Sequence, residues 1–388
     1  MKIVHTSDWH LGHTLYGYER SEEHAAMIDQ LVKILQEEKP DALVVSGDIY
    51  HTAQPSAAVQ TFFTESIMKL RAAVPEMTIV IIAGNHDSAS KHEISRILWE
   101  TQKVYMLGTV DKDDWNNLIV PVGGKGWIVG LPYQNERNIP EGFYQAVLDK
   151  TKEKNVDNLP VVMATHLTVS GSDFTGHEDV REVTVGGIDG VRIDDLGDGY
   201  DYLALGHIHK PQTIRGAKGC ARYSGTPIAV SFDEAYPHSV SVVEIASHGD
   251  TPVIREREIE NPRPLVTLPT SGFEDWDSVV ERLKVFPKDK AVYVRLNVQV
   301  DDYLPQGAEQ QARELVKGTP VTITHVNARR KATESAETKS VTVDEFKMME
   351  PLEVAKLYAE KTGRLFDKEM EELFREAADA VLENNRLA

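Results

Sequence analysis

The strongest constraint in this sequence is a set of five short segments, each of which places a metal-binding side chain directly after an apolar run. The segments are DWH at 8–10, GD at 47–48, GNHD at 84–87, TH at 165–166 and GHIH at 206–209. The preceding runs, at 2–5, 42–45, 78–83, 161–164 and 202–205, are typical of buried strands. Ligands of an open α/β sheet gather at the carboxyl ends of the strands, so five clusters delivered to one sheet edge should converge. The sequence therefore predicts a dinuclear metal centre.

The residue types in the clusters suit that chemistry. A single Asp or His after a strand is usually a turn residue, a helix cap or a satisfied polar side chain. Five such clusters in order argue against that interpretation for the set. Imidazole and carboxylate groups suit Mn²⁺, Fe²⁺ or Zn²⁺, and the single cysteine, Cys220, lies outside the clusters. Two cations about 3.5–4 Å apart need a bridging anion, and Asp48, the only carboxylate of its segment, is the best candidate.

The bulk properties indicate a globular protein of two or three domains. The chain has 388 residues, 41% of them hydrophobic, and a formal net charge of −19. Because no apolar stretch reaches the roughly 18–20 residues of a membrane span and no signal peptide is visible, we expect a cytoplasmic protein without membrane contact. The negative charge disfavours a generic polyanion binder, although two bound cations would add local positive charge. Small basic clusters occur at 329–331 and 210–218.

Strand and helix patterns alternate over the first two thirds of the chain. Apolar spacing predicts helices over 21–38 and 55–73, and strands over 118–120 and 127–131. The segments 221–224 and 239–245 read as antiparallel strands with turns between them. The fold class is therefore α/β (α+β), with two mixed sheets packed face to face and helices outside.

A proline-rich linker at 260–264 separates this region from a β-α-β-α-β pattern. Its strands are predicted at 265–268, 291–300 and 320–326, and its helices at 273–285 and 307–317. Few apolar residues occur at 333–347, which predicts a flexible tether. The helical patterns beyond it, at 351–361 and 367–384, carry an apolar stripe that either folds back onto this chain or docks a partner helix.

The order DxH, GD, GNHD, H and GHxH resembles the signature of the calcineurin-like metallophosphoesterases. The segments HTSDWHLG at 5–12, SGDIYHTAQPS at 46–56 and AGNHDS at 83–88 resemble, more closely, the SbcD family of DNA nucleases. The resemblance covers the whole chain. It implies a four-layer sandwich of two mixed sheets flanked by helices in a nuclease domain at 1–262. A capping domain at 263–332, a tether at 333–347 and C-terminal helices at 348–388 would follow.

The resemblance also implies a role for each motif residue. One metal would be held by Asp8, His10, Asp48 and His209, and the other by Asp48, Asn85, His166 and His207. Manganese is the family's usual ion. His86 would face the scissile phosphate, and His51 would contact the phosphodiester. By contrast, His5, His13 and His24 have no motif behind them and are predicted to be structural.

The activity implied by this family is a nuclease, exonucleolytic on double-stranded ends and endonucleolytic on single strands and hairpins. It would work with the ATPase SbcC, as a heterotetramer of two copies of each, in DNA repair, replication and recombination. The C-terminal helices would dock onto SbcC, and the chain would dimerise, with Phe62 and Phe63 on one candidate face. Two alternatives are a phosphoesterase for small substrates, which needs no capping domain or tail, and a non-catalytic scaffold, which needs no complete ligand set.

Overall fold

The computed structural model describes residues 1–111, 114–135, 139–176, 190–216, 219–331, 352–356, 370–371 and 374. Two compact units are present, Met1–Lys331 and Ala332–Ala388. In the second unit the described residues are helical. The predicted tether at 333–347 and most of the predicted C-terminal helices lie outside the described residues, so the fold below is that of the first unit.

The first unit contains strands and helices at most of the positions that the apolar patterns predict. The strands are β1 (Lys2–Thr6), β2 (Thr14–Leu15), β3 (Tyr18–Glu19), β4 (Ala42–Ser46), β5 (Thr78–Ile82), β6 (Val104–Leu107), β7 (Ile119–Val122), β8 (Gly126–Leu131), β9 (Val161–His166), β10 (Tyr202–Gly206), β11 (Gln212–Ile214), β12 (Cys220–Tyr223), β13 (Ser239–Glu244), β14 (Val253–Glu258), β15 (Leu265–Leu268), β16 (Val292–Val300) and β17 (Val321–Arg330). The helices are α1 (Ser21–Glu38), α2 (Ala57–Ala73), α3 (Ala89–Ile94), α4 (Arg96–Glu100), α5 (Phe143–Lys154), α6 (Trp276–Val285) and α7 (Ala308–Leu315).

Two mixed six-stranded sheets form the centre of this unit. The first has the order β14-β13-β1-β4-β5-β6, in which β1, β4, β5 and β6 are parallel. The second has the order β11-β12-β10-β9-β8-β7, in which β12, β10, β9 and β8 are parallel. The five strands that precede the motif segments are thus divided between the sheets, three in the first and two in the second. Their carboxyl ends belong to two sheet edges rather than one.

Helices cover the outer face of each sheet, which confirms the predicted four-layer architecture. Alternate residues of a strand point to opposite faces, and both faces are buried. Val4 faces the core shared with α1 and α2, whereas its neighbour Ile3 faces the core between the two sheets. The outer face of the second sheet packs against α5 through a third core that includes Val147. Burial on both faces explains why the central strands read as continuous apolar runs.

A buried chain of hydrogen bonds crosses between the two sheets below the motif segments. The Ser46 hydroxyl donates to the Ala204 carbonyl (3.0 Å), so it accepts from Nε2 of His5 (3.1 Å). Nδ1 of His5 then accepts from the Tyr202 hydroxyl (2.9 Å). Burial, followed by the positive charge of Arg222, lowers the pKa of His5 to about 3. The neutral ring therefore pins the first sheet to the second, in agreement with its predicted structural role.

The segments at 221–224 and 239–245 are antiparallel strands, as predicted, but they lie in different sheets and do not pair with each other. The strand at the first position, β12, lies in the second sheet, antiparallel to β11 and parallel to β10. The strand at the second position, β13, lies in the first sheet, antiparallel to β1 and β14. Because both segments are apolar and are separated by turn residues, sequence spacing did not distinguish a hairpin from a crossing between sheets.

The β-α-β-α-β pattern forms a three-stranded sheet of order β15-β16-β17, with all strands parallel. Its core is separate from those of the large sheets and includes Val279 of α6, Ala312 of α7 and Val294 of β16. We call β15–β17 with α6 and α7 the small subdomain. No helix within the described residues has the length and apolar character needed to cross a bilayer.

Buried neutral histidine makes the stability of the fold depend on pH. His24 on α1 is 3% exposed, and burial lowers its pKa from 6.5 to about 3, with Arg20 contributing next. Between pH 6.5 and about pH 3, His24 binds a proton in the unfolded chain but not in the folded one. The contribution of the neutral ring to the free energy of unfolding is therefore complete above pH 6.5 and is lost as pH falls toward 3.

We expect His24→Leu to make the decline of the unfolding free energy with acidification shallower, by up to about 1.4 kcal/mol per pH unit. Urea denaturation between about pH 7.5 and about pH 5, in the presence of a chelator, measures this slope. A slope identical to that of the unmodified chain would contradict the assignment of His24 as a buried neutral group.

Candidate metal centre

The structure brings the predicted site residues together where the two large sheets meet. Residues after β1, β4 and β5 come from the first sheet, and residues after β9 and β10 come from the second. Seven of the nine predicted residues line a cavity of about 610 Å³: His10, Asp48, His51, Asn85, His86, His207 and His209. The other two, Asp8 and His166, are buried beside them at 1% exposure. All nine therefore lie in one place.

Donor atoms of these side chains lie between 2.9 and 3.9 Å from one another. Nε2 of His10 lies 3.2 Å from Nε2 of His209 and 3.9 Å from an Asp48 carboxylate oxygen. On the other side of Asp48, Nε2 of His166 lies 3.4 Å from the same oxygen, Oδ2. The Asn85 amide oxygen is 2.9 Å from Nε2 of His166 and 3.0 Å from Nδ1 of His207. Asp48 thus sits between two groups of donors.

Glycine residues permit close approach between the two sheets and between neighbouring motif segments of the first sheet. A Cβ atom on Gly206, at the end of β10, would stand 1.8 Å from the Ser46 carbonyl oxygen and 2.9 Å from Nδ1 of His166. A Cβ atom on Gly84 would stand 2.1 Å from an Asp48 carboxylate oxygen. These distances are far below van der Waals contact, so glycine is a steric requirement at both positions.

Strained backbone is concentrated in the same residues. Eight non-glycine residues of the described chain have positive φ, and four of them are predicted ligands: Asp8 (54°), His10 (45°), Asp48 (50°) and His207 (94°). Such conformations cost roughly 1–3 kcal/mol each and persist where surrounding contacts hold them. Here the backbone N–H of Asp8 donates to the Gly47 carbonyl (3.0 Å) and that of His10 to the Asp48 carbonyl (3.0 Å).

Two of the histidines are oriented by a hydrogen bond from the ring nitrogen that faces away from the cluster. His166 donates its Nδ1 proton to the Ser46 carbonyl at 2.8 Å. His209 donates its Nδ1 proton to the Glu234 carboxylate, also at 2.8 Å. In both rings Nε2 is then the nitrogen directed at the other donors. Metal-binding histidines are commonly held in this way.

The charges of the cluster are strongly coupled. Burial opposes ionisation of Asp48, but the adjacent His166 imidazole holds the pKa of this carboxyl well below its usual range. Burial also opposes protonation of His166, yet the Asp48 carboxylate raises its pKa to about 9. For His207, burial and then the charge of His166 lower the pKa to about 3. A cation that binds here must displace the proton of His166, so cation affinity should rise with pH.

His86 and His51 lie together on one side of the cavity. Nδ1 of His86 donates to the His51 carbonyl (2.9 Å), and the two rings are stacked with centroids 5.8 Å apart. The backbone N–H of His86 donates to an Asp48 carboxylate oxygen (2.9 Å). Because Nδ1 is engaged by the backbone, Nε2 is the nitrogen of His86 that can act on a bound molecule.

Several residues at the site were not singled out by the sequence. Asp87 is buried, and its carboxylate accepts from the backbone N–H groups of Ile49 (3.1 Å), Tyr50 (2.9 Å) and Gly84 (2.8 Å). The position of Asp87 within the GNHD segment was the sequence signal that could have identified it as a site residue. By contrast, Glu234 lies in an irregular loop 25 residues after His209, with no pattern that connects the two. Tyr133 and His13 also line the cavity, although His13 was predicted to be structural.

The donor set fits divalent cations. Among the described residues, three groups of side chains have ligand atoms within 4.8 Å of one another: Asp8, His10 and His209; Asp8, Asp48 and His166; and His10, His51 and His86. The first two groups share Asp8 and combine imidazole with carboxylate, which suits Mn²⁺, Fe²⁺ or Zn²⁺. Two adjacent groups of this kind are the arrangement that a pair of cations requires.

Comparison with known proteins agrees with this chemistry. Residues 1–211 match the calcineurin-like phosphoesterase family, and residues 261–363 match the family described as type 5 capsule protein repressor C-terminal domain. The chain is 32% identical to the SbcD component of the nuclease SbcCD from Bacillus subtilis, over 99% of this chain and 100% of that one. This chain belongs to the SbcD family.

Other SbcD proteins are similar over shorter spans. SbcD of Rhodobacter capsulatus is 31% identical over 70% of this chain and 72% of its own length. SbcD of Escherichia coli K12 is 26% identical over 86% of each chain. Since SbcD proteins carry a metallophosphoesterase domain, family membership implies divalent metals, and the three donor groups lie where that domain brings its strands together.

A methyl group on Gly206 should separate the two sheet edges. We expect Gly206→Ala to lower the unfolding free energy by about 3 kcal/mol, because its Cβ would meet the Ser46 carbonyl, a backbone atom that cannot rotate away. For comparison, Gly249→Ala has nothing within 4 Å of the new Cβ and carries only the cost of its positive φ, about 1 kcal/mol, a strain that Gly206 does not have. Urea denaturation compares them, and equal losses would contradict the close-approach argument.

Proposed function

We propose that this protein is a metal-dependent DNA nuclease, an exonuclease on double-stranded ends and an endonuclease on single strands and hairpins. The observation that carries the proposal is the convergence of His, Asp and Asn donors from two sheets around a single cavity of about 610 Å³. Similarity to nuclease subunits over almost the entire chain supports DNA as the substrate rather than a small phosphate ester. The small subdomain, which a small-substrate phosphoesterase would not need, points the same way.

The proposed ligand sets follow the two sides of Asp48. Asp8, His10, Asp48 and His209 would hold one Mn²⁺ ion, and Asp48, Asn85, His166 and His207 the other. When bound, the two ions would supply an activated water nucleophile and neutralise charge on the phosphate oxygens. The Nδ1 hydrogen bonds of His166 and His209 leave Nε2 of each ring free of that role, so Nε2 would be the atom that binds the ion.

His86 is proposed to act on the leaving oxygen of the phosphodiester. Its Nδ1 proton is committed to the His51 carbonyl, so protonation of the leaving oxygen would come from Nε2. Asp48 places this ring as well, because its carboxylate accepts from the His86 backbone N–H. General-acid assistance of this kind is worth roughly 10²–10⁴-fold in rate. His51 stacks on His86 and would contact the same phosphate.

The affinity for DNA is proposed to come largely from the bound cations and from a partner protein. The basic residues at 329–331 are locally engaged. Arg329 lies over the Phe273 ring (5.7 Å), Arg330 over the Tyr303 ring (5.4 Å), and Lys331 pairs with Asp301 (2.9 Å). With a net charge of −19, the remainder of the chain offers little attraction to a polyanion.

The proposed partner is the ATPase SbcC, in a heterotetramer of two copies of each chain that works in DNA repair, replication and recombination. The names of the curated relatives, subunits of an SbcCD complex, support this partnership. The C-terminal segment at 348–388 is the proposed docking element, because its sequence carries an apolar stripe at helical spacing of the kind that suits a partner helix.

Dimerisation is proposed to use α3 and α4 rather than the face that the sequence suggested, at Phe62 and Phe63. Phe63 is 3% exposed and lies in the core beneath the first sheet, with Phe62 packed against it. By contrast, Ile94, Ile97 and Leu98 are 79%, 79% and 69% exposed, an apolar cluster large enough to favour self-association.

Two substitutions test the site and the activity together. His86→Ala should keep both Mn²⁺ ions bound but lose most turnover on labelled duplex and hairpin oligonucleotides, by roughly 10²–10⁴-fold. Asp48→Ala should lose both metal content and activity, because both sites share this carboxylate. Elemental analysis and Mn²⁺-dependent digestion are measured on the same preparations. Loss of metal in His86→Ala would make His86 a ligand, and hydrolysis of a chromogenic diester without DNA cleavage would favour the small-substrate alternative.

Two further variants, each the control for the other, test the partner contacts. Truncation after Glu350 should abolish co-purification with SbcC and leave the dimer intact. Ile97→Asp should dissociate the dimer, because a charge would be buried at the apolar contact, yet retain SbcC binding. Light scattering coupled to size-exclusion chromatography measures both. If the truncated chain still bound SbcC, the proposed docking element would be wrong. If the Ile97→Asp variant remained a dimer, the proposed dimer face would be wrong.

A further inference from the structure

The loop between β12 and β13, residues 224–238, connects the metal-centre histidines to the small subdomain. Glu234 in this loop has a side chain with 0% exposure. One carboxylate oxygen accepts the Nδ1 proton of His209 at 2.8 Å. The other accepts from the Thr226 hydroxyl (2.9 Å) and from the Val230 backbone N–H (3.3 Å). Both oxygens are therefore engaged, and one of them is devoted to His209.

The neighbouring residues of the loop are held by the small subdomain. Arg295 of β16 forms an ion pair with Asp233 at 2.8 Å, and its guanidinium carbon lies 5.1 Å from the centre of the Phe232 ring. Phe232 is 7% exposed and packs in a small apolar cluster with Tyr293 of β16 and Leu15 of β2. The Arg295 side chain is only 14% exposed and is itself fixed by the Thr267 hydroxyl (3.2 Å).

We propose that Glu234 is a positioning residue for His209 and that the small subdomain sets its position through Arg295. This inference rests on the proposed metal centre and identifies what holds one of its two ion sites in shape. Phe232 and Asp233 are held by contacts with β16, and the next residue, Glu234, accepts a hydrogen bond from the His209 imidazole. A shift of the small subdomain would therefore be transmitted to His209 over one or two residues of backbone.

The chemistry explains why such a contact matters. A histidine that binds a cation through Nε2 must keep its proton on Nδ1 and its ring plane aimed at the ion. A carboxylate partner fulfils both conditions and makes the ring a stronger donor, and loss of such partners commonly weakens metal binding by roughly 10–100-fold. Only the ion site that includes His209 should feel the change directly, because His166 is oriented by the Ser46 carbonyl instead.

The test is Mn²⁺ binding to the full-length chain, which isothermal titration calorimetry and electron paramagnetic resonance both measure. In the unmodified protein we expect two sites and, at saturation, the signal of an exchange-coupled ion pair. Glu234→Ala should weaken Mn²⁺ binding at one site by roughly 10–100-fold and leave the affinity of the other site unchanged. At Mn²⁺ concentrations that fill only the stronger site, the spectrum should then show the signal of a single, uncoupled ion. Glu234→Gln, which can still accept from Nδ1 but lacks the charge, should lose less.

Arg295→Met should weaken the same site by roughly threefold to tenfold. Combined with Glu234→Ala it should add nothing, since the two act in series. The matched control is Arg282→Met, which removes another ion pair of the small subdomain, with Glu274 (2.6 Å), that does not touch the loop. Its Mn²⁺ affinities should equal those of the unmodified chain.

Equal weakening of both sites in Glu234→Ala would overturn the proposal, since it would indicate general damage rather than positioning of His209. Unchanged affinity in Arg295→Met, or additive losses in the double variant, would overturn the role of the small subdomain. Failure of the proposed function is distinguishable from these outcomes, because the unmodified chain would then bind no pair of Mn²⁺ ions.

Discussion

The site depends on one contact between the two large sheets, at their carboxyl edges. There the His166 imidazole, from the second sheet, donates to the Ser46 carbonyl of the first at 2.8 Å. Gly206 lies so close to the same carbonyl that no Cβ fits between them. The apolar core between the sheets brings them together, and the glycine allows the final approach. Side chains from five strand ends can line one cavity only because this distance is so short.

Below that contact a buried hydrogen-bond network stabilises the packing of the two sheets. The hydrogen bonds from Tyr202 through His5 and Ser46 to the Ala204 carbonyl satisfy every polar atom they involve in a region with no access to water. An unpartnered polar group there would cost about 1–3 kcal/mol. Above the contact, the strained φ angles of Asp8, His10 and Asp48 are held by backbone hydrogen bonds between adjacent loops. The stable network thus supports the strained one.

The sequence predicted much of this because the apolar runs and the motif residues are local signals. Helix α1 begins and ends where its apolar spacing predicts, and all five motif-bearing strands are present. What could not be predicted depends on contacts between distant residues. The division of the five strands between two sheets, the sheet assignment of β12 and the bond from Glu234 to His209 have no local pattern. The positive φ angles at the predicted ligand residues likewise depend on tertiary contacts, which hold the backbone in these strained conformations.

The central claim is that distant segments meet to hold two cations around Asp48. Anomalous diffraction from crystals soaked in Mn²⁺ tests it most directly. The account predicts two peaks about 3.5–4 Å apart, one beside His10 and His209 and the other beside Asn85 and His166, with Asp48 between them. A single peak, or peaks remote from Asp48, would contradict it.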